Sequence, residues 1–369
     1  MRDASLRTNE NTVMSLRDAI LVATAILVTD FVAAQVLKAY PSVLVAPFTE
    51  YWEYSAEYHH DLIPNVETEV NWLGRRYRHR TNSLGFRDRT VRDVAPSSDM
   101  QRYLFIGDSF AEGIGLDYED TAVGQIAETF GKEGIEVLNA GVFGYGPSIY
   151  HRKVRYLIED KGLRFDRLFV MIDVSDISDE IRFTTDGQGN IHASDDFTRK
   201  WKYYLKTNSL IIRLIDLTRD WLRIDEAQLQ FERTVGKRYG LEFSSWTFDD
   251  RRYEKYGRRG LEKSTRAMNQ LFELVADRGI PMTVIVYPWP DQLKERDINS
   301  RHTKHWGRWA NEKGVGFVNL FPTFGEAAAN AEAIDDLFLD RDVHFNAKGN
   351  TILARGIIDF IRNEKPRAQ

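Results

Sequence analysis

Apolar positions fall along the chain in three patterns. The first is an unbroken run, AILVATAILVTDFVAAQVL from Ala19 to Leu37, in which Asp30 and Gln35 are the only strongly polar residues. Such a run is just long enough to cross a bilayer core as a helix. Arg2, Arg7 and Arg17 precede it, and Glu50, Glu53, Glu57 and Asp61 follow Lys38. That bias puts residues 1–18 in the cytoplasm, an anchor at 19–38, and the bulk of the chain outside. A carboxylate such as Asp30 near the middle of a span costs about 3 kcal/mol, reduced if it is neutral or faces a partner helix. Two other readings compete: a signal peptide cleaved near Val32-Ala33-Ala34, and a buried helix of a soluble fold.

The second pattern covers residues 39–98, where aromatics (Tyr51, Trp52, Tyr54, Tyr58, Trp72, Tyr77) precede the basic run Arg75 to Arg80 and a turn-like stretch, Thr81 to Arg87. No helical period appears, which predicts extended strands and loops packed on a neighbouring domain. The basic run reads either as a solvated turn or as a contact for anionic headgroups or an acidic glycan. Ala95 to Asp99 is a short polar linker.

The third pattern alternates. Short apolar, β-branched or aromatic runs at Tyr103–Ile106, Glu136–Leu138, Leu168–Ile172, Met282–Tyr287 and Phe317–Leu320 predict strands. Helix-sized segments lie between and after them, at Thr121–Phe130, Ser148–Lys161, Leu261–Arg278, Arg301–Lys313 and Thr351–Arg362. Strands separated by helices make right-handed βαβ units, so residues 99–369 should form an α/β domain, a three-layer α/β/α sandwich around a parallel flavodoxin-like sheet. Residues 181–260 interrupt the alternation with the polar turn Asp186 to Asn190 and a helical stretch, Leu210 to Leu222, and read as an inserted cap.

Composition narrows the chemistry. With 369 residues and 43% hydrophobic content the chain can build a substantial core. Its net charge of -5 argues against a nucleic-acid partner. The absence of cysteine removes disulfides, thiolate zinc sites, iron–sulfur clusters and a cysteine nucleophile.

Two constellations then carry chemistry. Leu104-Phe105-Ile106-Gly107-Asp108-Ser109 runs an apolar strand into a Gly-Asp-Ser turn, which presents Ser109 at the carboxyl end of a strand where α/β sheets bind ligands. The same tripeptide also serves as an ordinary helix cap. Near the C-terminus, Asp340-Arg341-Asp342-Val343-His344 precedes the last helical run. Serine needs an imidazole to take its proton and a carboxylate to orient that imidazole, and His344 with Asp342 supplies such a pair.

Together these blocks resemble the SGNH (GDSL-type) hydrolases over about residues 100–362. The resemblance implies Ser109 as nucleophile, His344 as general base and Asp342 as orienting acid, with Asp340 the alternative because the family's usual spacing falls between the two. It also implies an oxyanion hole from the Ser109 N–H, a glycine in Asn139 to Gly146, and the third block, Asp173-Val174-Ser175-Asp176. Gly144 fills the glycine role, with Gly141 the alternative that merely turns the chain. Ser175 stands where the family carries a donating asparagine, a departure that bears on hydrolytic power. Asp108 and Asp176, the acids of the first and third blocks, are expected at the substrate.

No cofactor is implied, and no metal. Asp173, Asp176, Asp179 and Glu180 read as a solvated acidic loop rather than a cation site, lacking a calcium loop's spacing. His302 and His305 lack companions for a metal centre, and Tyr287 to Pro290 either lines the crevice mouth or forms a rigid turn. The implied activity is that of an exported, membrane-anchored serine esterase or O-acyltransferase acting on acylated cell-envelope carbohydrate. Rival readings are a lipid esterase or thioesterase, a transferase working with a membrane acyltransferase partner through Asp30, and a glycan-binding module that keeps the fold without catalysis.

Overall fold

The structure is a computed structural model that describes residues 15–39, 51–193, 201, 204–205, 208–212, 214–215 and 243–364. The chain divides into two compact units, one of residues 1–48 with 197–224 and one of residues 49–196 with 225–369. The first contains helix α1 (Leu16–Ala39), whose Leu16–Val36 stretch has a mean hydropathy of 2.0 and is the one described helix long and apolar enough to cross a membrane.

The second unit opens with two antiparallel hairpins, β1 (Trp52–Ser55) with β2 (His59–Leu62), and β3 (Glu67–Trp72) with β4 (Arg75–Arg80). The basic run is therefore strand β4 rather than a turn. Opposed acids explain this: Arg76 and Arg80 pair with Glu69 and Glu67 across the hairpin, and Arg78 with Asp117. Thr81 to Arg87 then turns back on itself, and Arg87 bridges to Asn139 at the sheet edge. Its buried guanidinium donates to the carbonyls of Glu112, Gly113 and Leu116. A second tie is buried as well. The Lys153 ammonium lies 2.6 Å from Asp61, whose other oxygen accepts from Tyr58 at 2.8 Å. A buried ion pair that loses one partner leaves an uncompensated charge, worth about 3–5 kcal/mol. The hairpins are thus locked onto the core.

That core is a parallel sheet of β5 (Gln101–Ile106), β6 (Ile135–Asn139), β7 (Arg167–Met171), β10 (Met282–Val286) and β11 (Gly316–Asn319), in the order β11-β10-β7-β5-β6. Its strands are apolar on both faces, and all five residues of β10 are buried, because helices cover both sides. Helix α3 (Ala122–Gly131) packs on β6 and on the last helix, α8 (Ala347–Asn363), while α4 (Pro147–Glu159) packs on α6 (Arg258–Ala276). Helix α7 (Arg301–Lys313) lies against β10 and β11. Numbered along the core alone, the strand order is 2-1-3-4-5, that of flavodoxin-like sheets. The order reverses between β5 and β7, so the crevice opens beyond the carboxyl end of β5.

The expected cap at 181–260 is not a single body. Helix α5 (Asp176–Arg182) leads into the short hairpin β8 (Phe183–Thr185) with β9 (Ile191–Ala193), built on the Asp186 to Asn190 turn. Residues 197–224 group with residues 1–48 instead. Of the helical stretch expected at Leu210 to Leu222, residues 210–212, 214 and 215 are helical, and the remainder lies outside the described residues.

Candidate active site

Ser109 stands at the first position of a short helix, α2 (Ser109–Glu112), directly after β5. Gly107 makes the junction possible, since a Cβ there would lie 2.8 Å from the Ala111 side chain and 2.9 Å from the Met171 carbonyl. Asp108 caps the helix by accepting from the Phe110 N–H at 3.0 Å. The loop of His344 is pinned at both ends. The Leu339 N–H donates to the His344 carbonyl at 2.8 Å, and Asn346 caps α8.

These elements bring residues far apart in sequence into one line. His344 Nε2 lies 2.8 Å from Ser109 Oγ, and His344 Nδ1 lies 2.9 Å from Asp342 Oδ2. Nδ1–H donating to the carboxylate leaves Nε2 free to accept the serine proton. Asp342, not Asp340, is the carboxylate beside His344. Asp340 is exposed and paired with Arg341. Burial alone would depress the His344 pKa, but the charge and hydrogen bond of Asp342 outweigh it and raise it above 6.5. For Asp342 burial acts upward, and bonds from His344, Trp72 and Val343 bring it below the usual carboxylate value.

A pocket of about 510 Å³ opens above this line, lined by Ser109, Phe143, Gly144, Ser175, Tyr256 and His344 among others. Gly144 sits in it at φ +74°, a left-handed conformation that suits glycine. Among the described residues, neither the Gly144 nor the Ser109 N–H donates to another group of the chain. Both remain available to an oxyanion. At Gly141 a Cβ would meet the Ala111 side chain at 2.5 Å, so this glycine permits close packing against α2.

Three expectations need correction. The Ser175 hydroxyl donates to Asp173 Oδ1 at 2.8 Å, so although Ser175 lines the pocket, its proton is committed away from an oxyanion. Asp176 is fully buried, accepts from Tyr150 at 2.9 Å and does not line the pocket. Asp108 does line it, as a helix cap. The acidic stretch is not a solvated loop either, since Asp173, Asp176 and Glu180 are buried. Asp173 and Asp176 gather with Asp108, their oxygens within 4.8 Å of one another. Burial pushes all three carboxyls above their ordinary pKa, with mutual repulsion adding to it at Asp108 and Asp176. His302 and His305 hold structural contacts: His302 is buried with Nε2 3.2 Å from the Ile172 carbonyl, and His305 pairs with Thr265. At Trp289 the aromatic turn does line the pocket, its indole N–H donating to Asp173 at 2.8 Å.

Two contributions come from the hairpins. The Trp72 indole N–H donates to Asp342 Oδ2 at 2.6 Å, and its ring meets His344 edge-on at 5.7 Å between centroids. His60 Nε2 lies 2.7 Å from the Phe143 carbonyl, and the Phe143 N–H donates to buried Glu112 at 2.7 Å. Phe143, the residue before Gly144, is therefore held at both its N–H and its carbonyl. Replacing Trp72 by phenylalanine keeps the ring but removes a hydrogen bond to a charged group. The expected result is a fall in kcat of about tenfold, equivalent to ~1.4 kcal/mol, with KM nearly unchanged. Steady-state kinetics on a chromogenic ester checks this, and an unchanged kcat would remove Trp72 from the positioning of Asp342.

A parallel sheet that brings Ser109 from the end of its first strand, Gly144 from the loop after its second and His344 from the loop before α8 into one crevice is that of an ester-bond hydrolase of the α/β/α type. The chain belongs to the GDSL-like lipase/acylhydrolase family, whose model matches residues 105–352. The hairpins carrying His60 and Trp72 precede that match. No curated protein matches the chain. Similar solved structures include an acetylxylan esterase from Geobacillus stearothermophilus, at 18% identity and TM-score 0.39 over 75% of this chain and 100% of that one. TesA is also similar, at 11% identity and TM-score 0.40 over 71% and 98%. The esterase EstA from Pseudoalteromonas sp. has 11% identity and TM-score 0.38 over 71% and 97%.

Proposed function

We propose that the protein is a membrane-anchored serine esterase or O-acyltransferase that acts outside the cytoplasm on ester-linked acyl groups of cell-envelope carbohydrate. The observation that carries this is the 2.8 Å contact of His344 Nε2 with Ser109 Oγ beside two unused backbone N–H groups. Ser109 Oγ attacks the acyl carbonyl as His344 Nε2 takes its proton, and the Ser109 and Gly144 N–H groups hold the tetrahedral oxyanion. Collapse breaks the ester bond, with His344 returning the proton to the departing alcohol. Water, or a second hydroxyl, then attacks the acyl-enzyme through the same imidazole and restores Ser109. With Ser175 turned to Asp173, the hole has two backbone donors and lacks the side-chain donor usual in the family.

A sugar-borne ester fits a pocket whose mouth carries Phe143, 46% exposed, and Tyr256, because aromatic faces suit the apolar face of a pyranose. A lipid ester is the second reading, favoured by the apolar lining of Ile181, Phe243 and Val343. The contact between Ser109 and His344 weighs against a binding module without catalysis. Anchoring is supported by the exposure of α1, since only 6% of its apolar window is buried and a core helix would be covered.

An acyl-chain series tests the substrate. The full-length protein in detergent should hydrolyse acetyl esters faster than octanoyl or palmitoyl esters and should release acetate from an acetylated polysaccharide. A preference for the long chains, with no acetate release, would favour the lipid reading instead.

A further inference from the structure

The polar residues of the apolar run have partners within their own compact unit, and those partners come from far along the chain. Asp30 Oδ1 accepts from the Ile211 N–H at 2.9 Å, and Gln35 Nε2 donates to Asn208 Oδ1 at 2.8 Å. Ser209 Oγ accepts from the Ile212 N–H at 3.1 Å. These N–H groups belong to the first turn of a helical stretch, where no intrahelical acceptor exists. Asp30 is 9% exposed, whereas Val28, Phe31 and Val32 around it are 57%, 43% and 52% exposed. In water, neither a carboxylate nor a first-turn N–H requires such a partner. In hydrocarbon both do.

The stretch itself is apolar outward. Trp201, Tyr204, Leu205, Ile211, Leu214 and Ile215 are between 42% and 57% exposed. Asn208 stands beside Gln35 and Ile211 beside Asp30, so the stretch runs antiparallel to α1, and Leu214 and Ile215 continue past the level of Asp30. At about 1.5 Å per residue, Asp30 lies roughly 9 Å below Val36, where the apolar window ends. Trp201 and Tyr204 precede Asn208 in sequence, and such rings concentrate at the membrane–water boundary.

We propose that the Trp201–Ile215 stretch is a second membrane-contacting element, docked on the anchor through Asp30 and Gln35 and covered on its outer side by lipid. The proposal rests on the reading of α1 as an anchor. Exposed apolar side chains lie on both α1 and the second element, which hydrogen bonds hold side by side, and this points to the bilayer as their common occupant. Asp30 is then the clasp between the two elements, not a contact for another protein. The hydrolase domain is tethered to the membrane at two places in its sequence.

The absence of cysteine makes the test direct. An environment-sensitive fluorophore is attached to single cysteines in the full-length protein, at Ile211→Cys, Leu214→Cys or Ile215→Cys. Leu27→Cys serves as the anchor reference and Gln188→Cys as the water reference. The protein is reconstituted in vesicles of phosphatidylethanolamine and phosphatidylglycerol, with and without dibrominated acyl chains. Labels at 211, 214 and 215 are expected to shift to the blue and be quenched by bromine as at 27, while the label at 188 is unaffected. Quenching at 27 alone would overturn the second element and leave the anchor standing. Blue-shifted labels at 211, 214 and 215 that ignore bromine would mean protein covers the stretch, which overturns the lipid contact. No quenching at 27 would remove the anchor and this inference with it. Adding Asp30→Ala should reduce quenching at 211 without changing it at 27, and equal quenching at 211 would remove Asp30 as the clasp.

Discussion

Replacing Ser109 by alanine is expected to lower kcat on an activated ester by about 10⁴-fold or more while the protein stays folded. The magnitude follows from what remains. Without Oγ no acyl-enzyme forms, and the two backbone N–H groups assist only attack by water. Asp108 Oδ2 lies 3.5 Å from Ser109 Oγ, but burial raises its pKa and the residue serves as a helix cap. Alanine suits the first helical turn, so circular dichroism and thermal unfolding should match wild type. A folded variant retaining a tenth or more of the wild-type kcat would contradict the role given to Ser109.

Asp342→Asn should cost a comparable factor, about 10⁴ in kcat, for a different reason. An amide N–H facing Nδ1 would place the imidazole proton on Nε2, where it can no longer accept the serine proton. The contrast lies two residues away, because Asp340→Asn should leave kcat within about twofold, the exposed pair with Arg341 being worth ~0–1 kcal/mol. The pH profile carries the sign of the same interaction. Catalysis needs the neutral imidazole, and Asp342 raises the His344 pKa, so kcat/KM in wild type should fall as pH drops through a midpoint above 6.5. In Asp342→Asn the midpoint of any residual rate should move down, since burial then acts unopposed by that charge. The pair also contributes to folding. Its His344 part is present in full below 6.5 and is lost as pH rises through the raised value. Its Asp342 part is present in full above 3.8 and is lost as pH falls through the lowered one.

The five core strands were readable as short β-branched or aromatic runs because a parallel sheet buried on both faces leaves that mark locally. Ser109 and His344 were readable for a related reason, since each lies in a compact motif at the end of a strand or before a helix. Trp72 and His60 left no such mark. Their contacts with Asp342 and Phe143 depend on how two hairpins settle against a sheet formed later in the chain, and a tryptophan in an aromatic-rich hairpin looks like any other packing residue. Asp173 and Asp176 misled in the opposite direction. Acidic residues in sequence suggest solvent, and only the approach of Tyr150, Trp289 and Asp108 turns them inward. The Ser175 hydroxyl could not be aimed from sequence because the loop conformation decides whether it meets Asp173 or the pocket. The basic run became a strand because its partners, Glu67 and Glu69, lie on the facing strand.

The most direct measurement is covalent labelling of the full-length protein by a fluorophosphonate, which reacts only with a serine activated by its neighbours. Wild type should be labelled at Ser109 alone, Ser109→Ala not at all, and Asp342→Asn far more slowly than wild type. Folded wild-type protein that takes up no label, or Ser109→Ala labelled as fast as wild type, would contradict a Ser109–His344–Asp342 esterase.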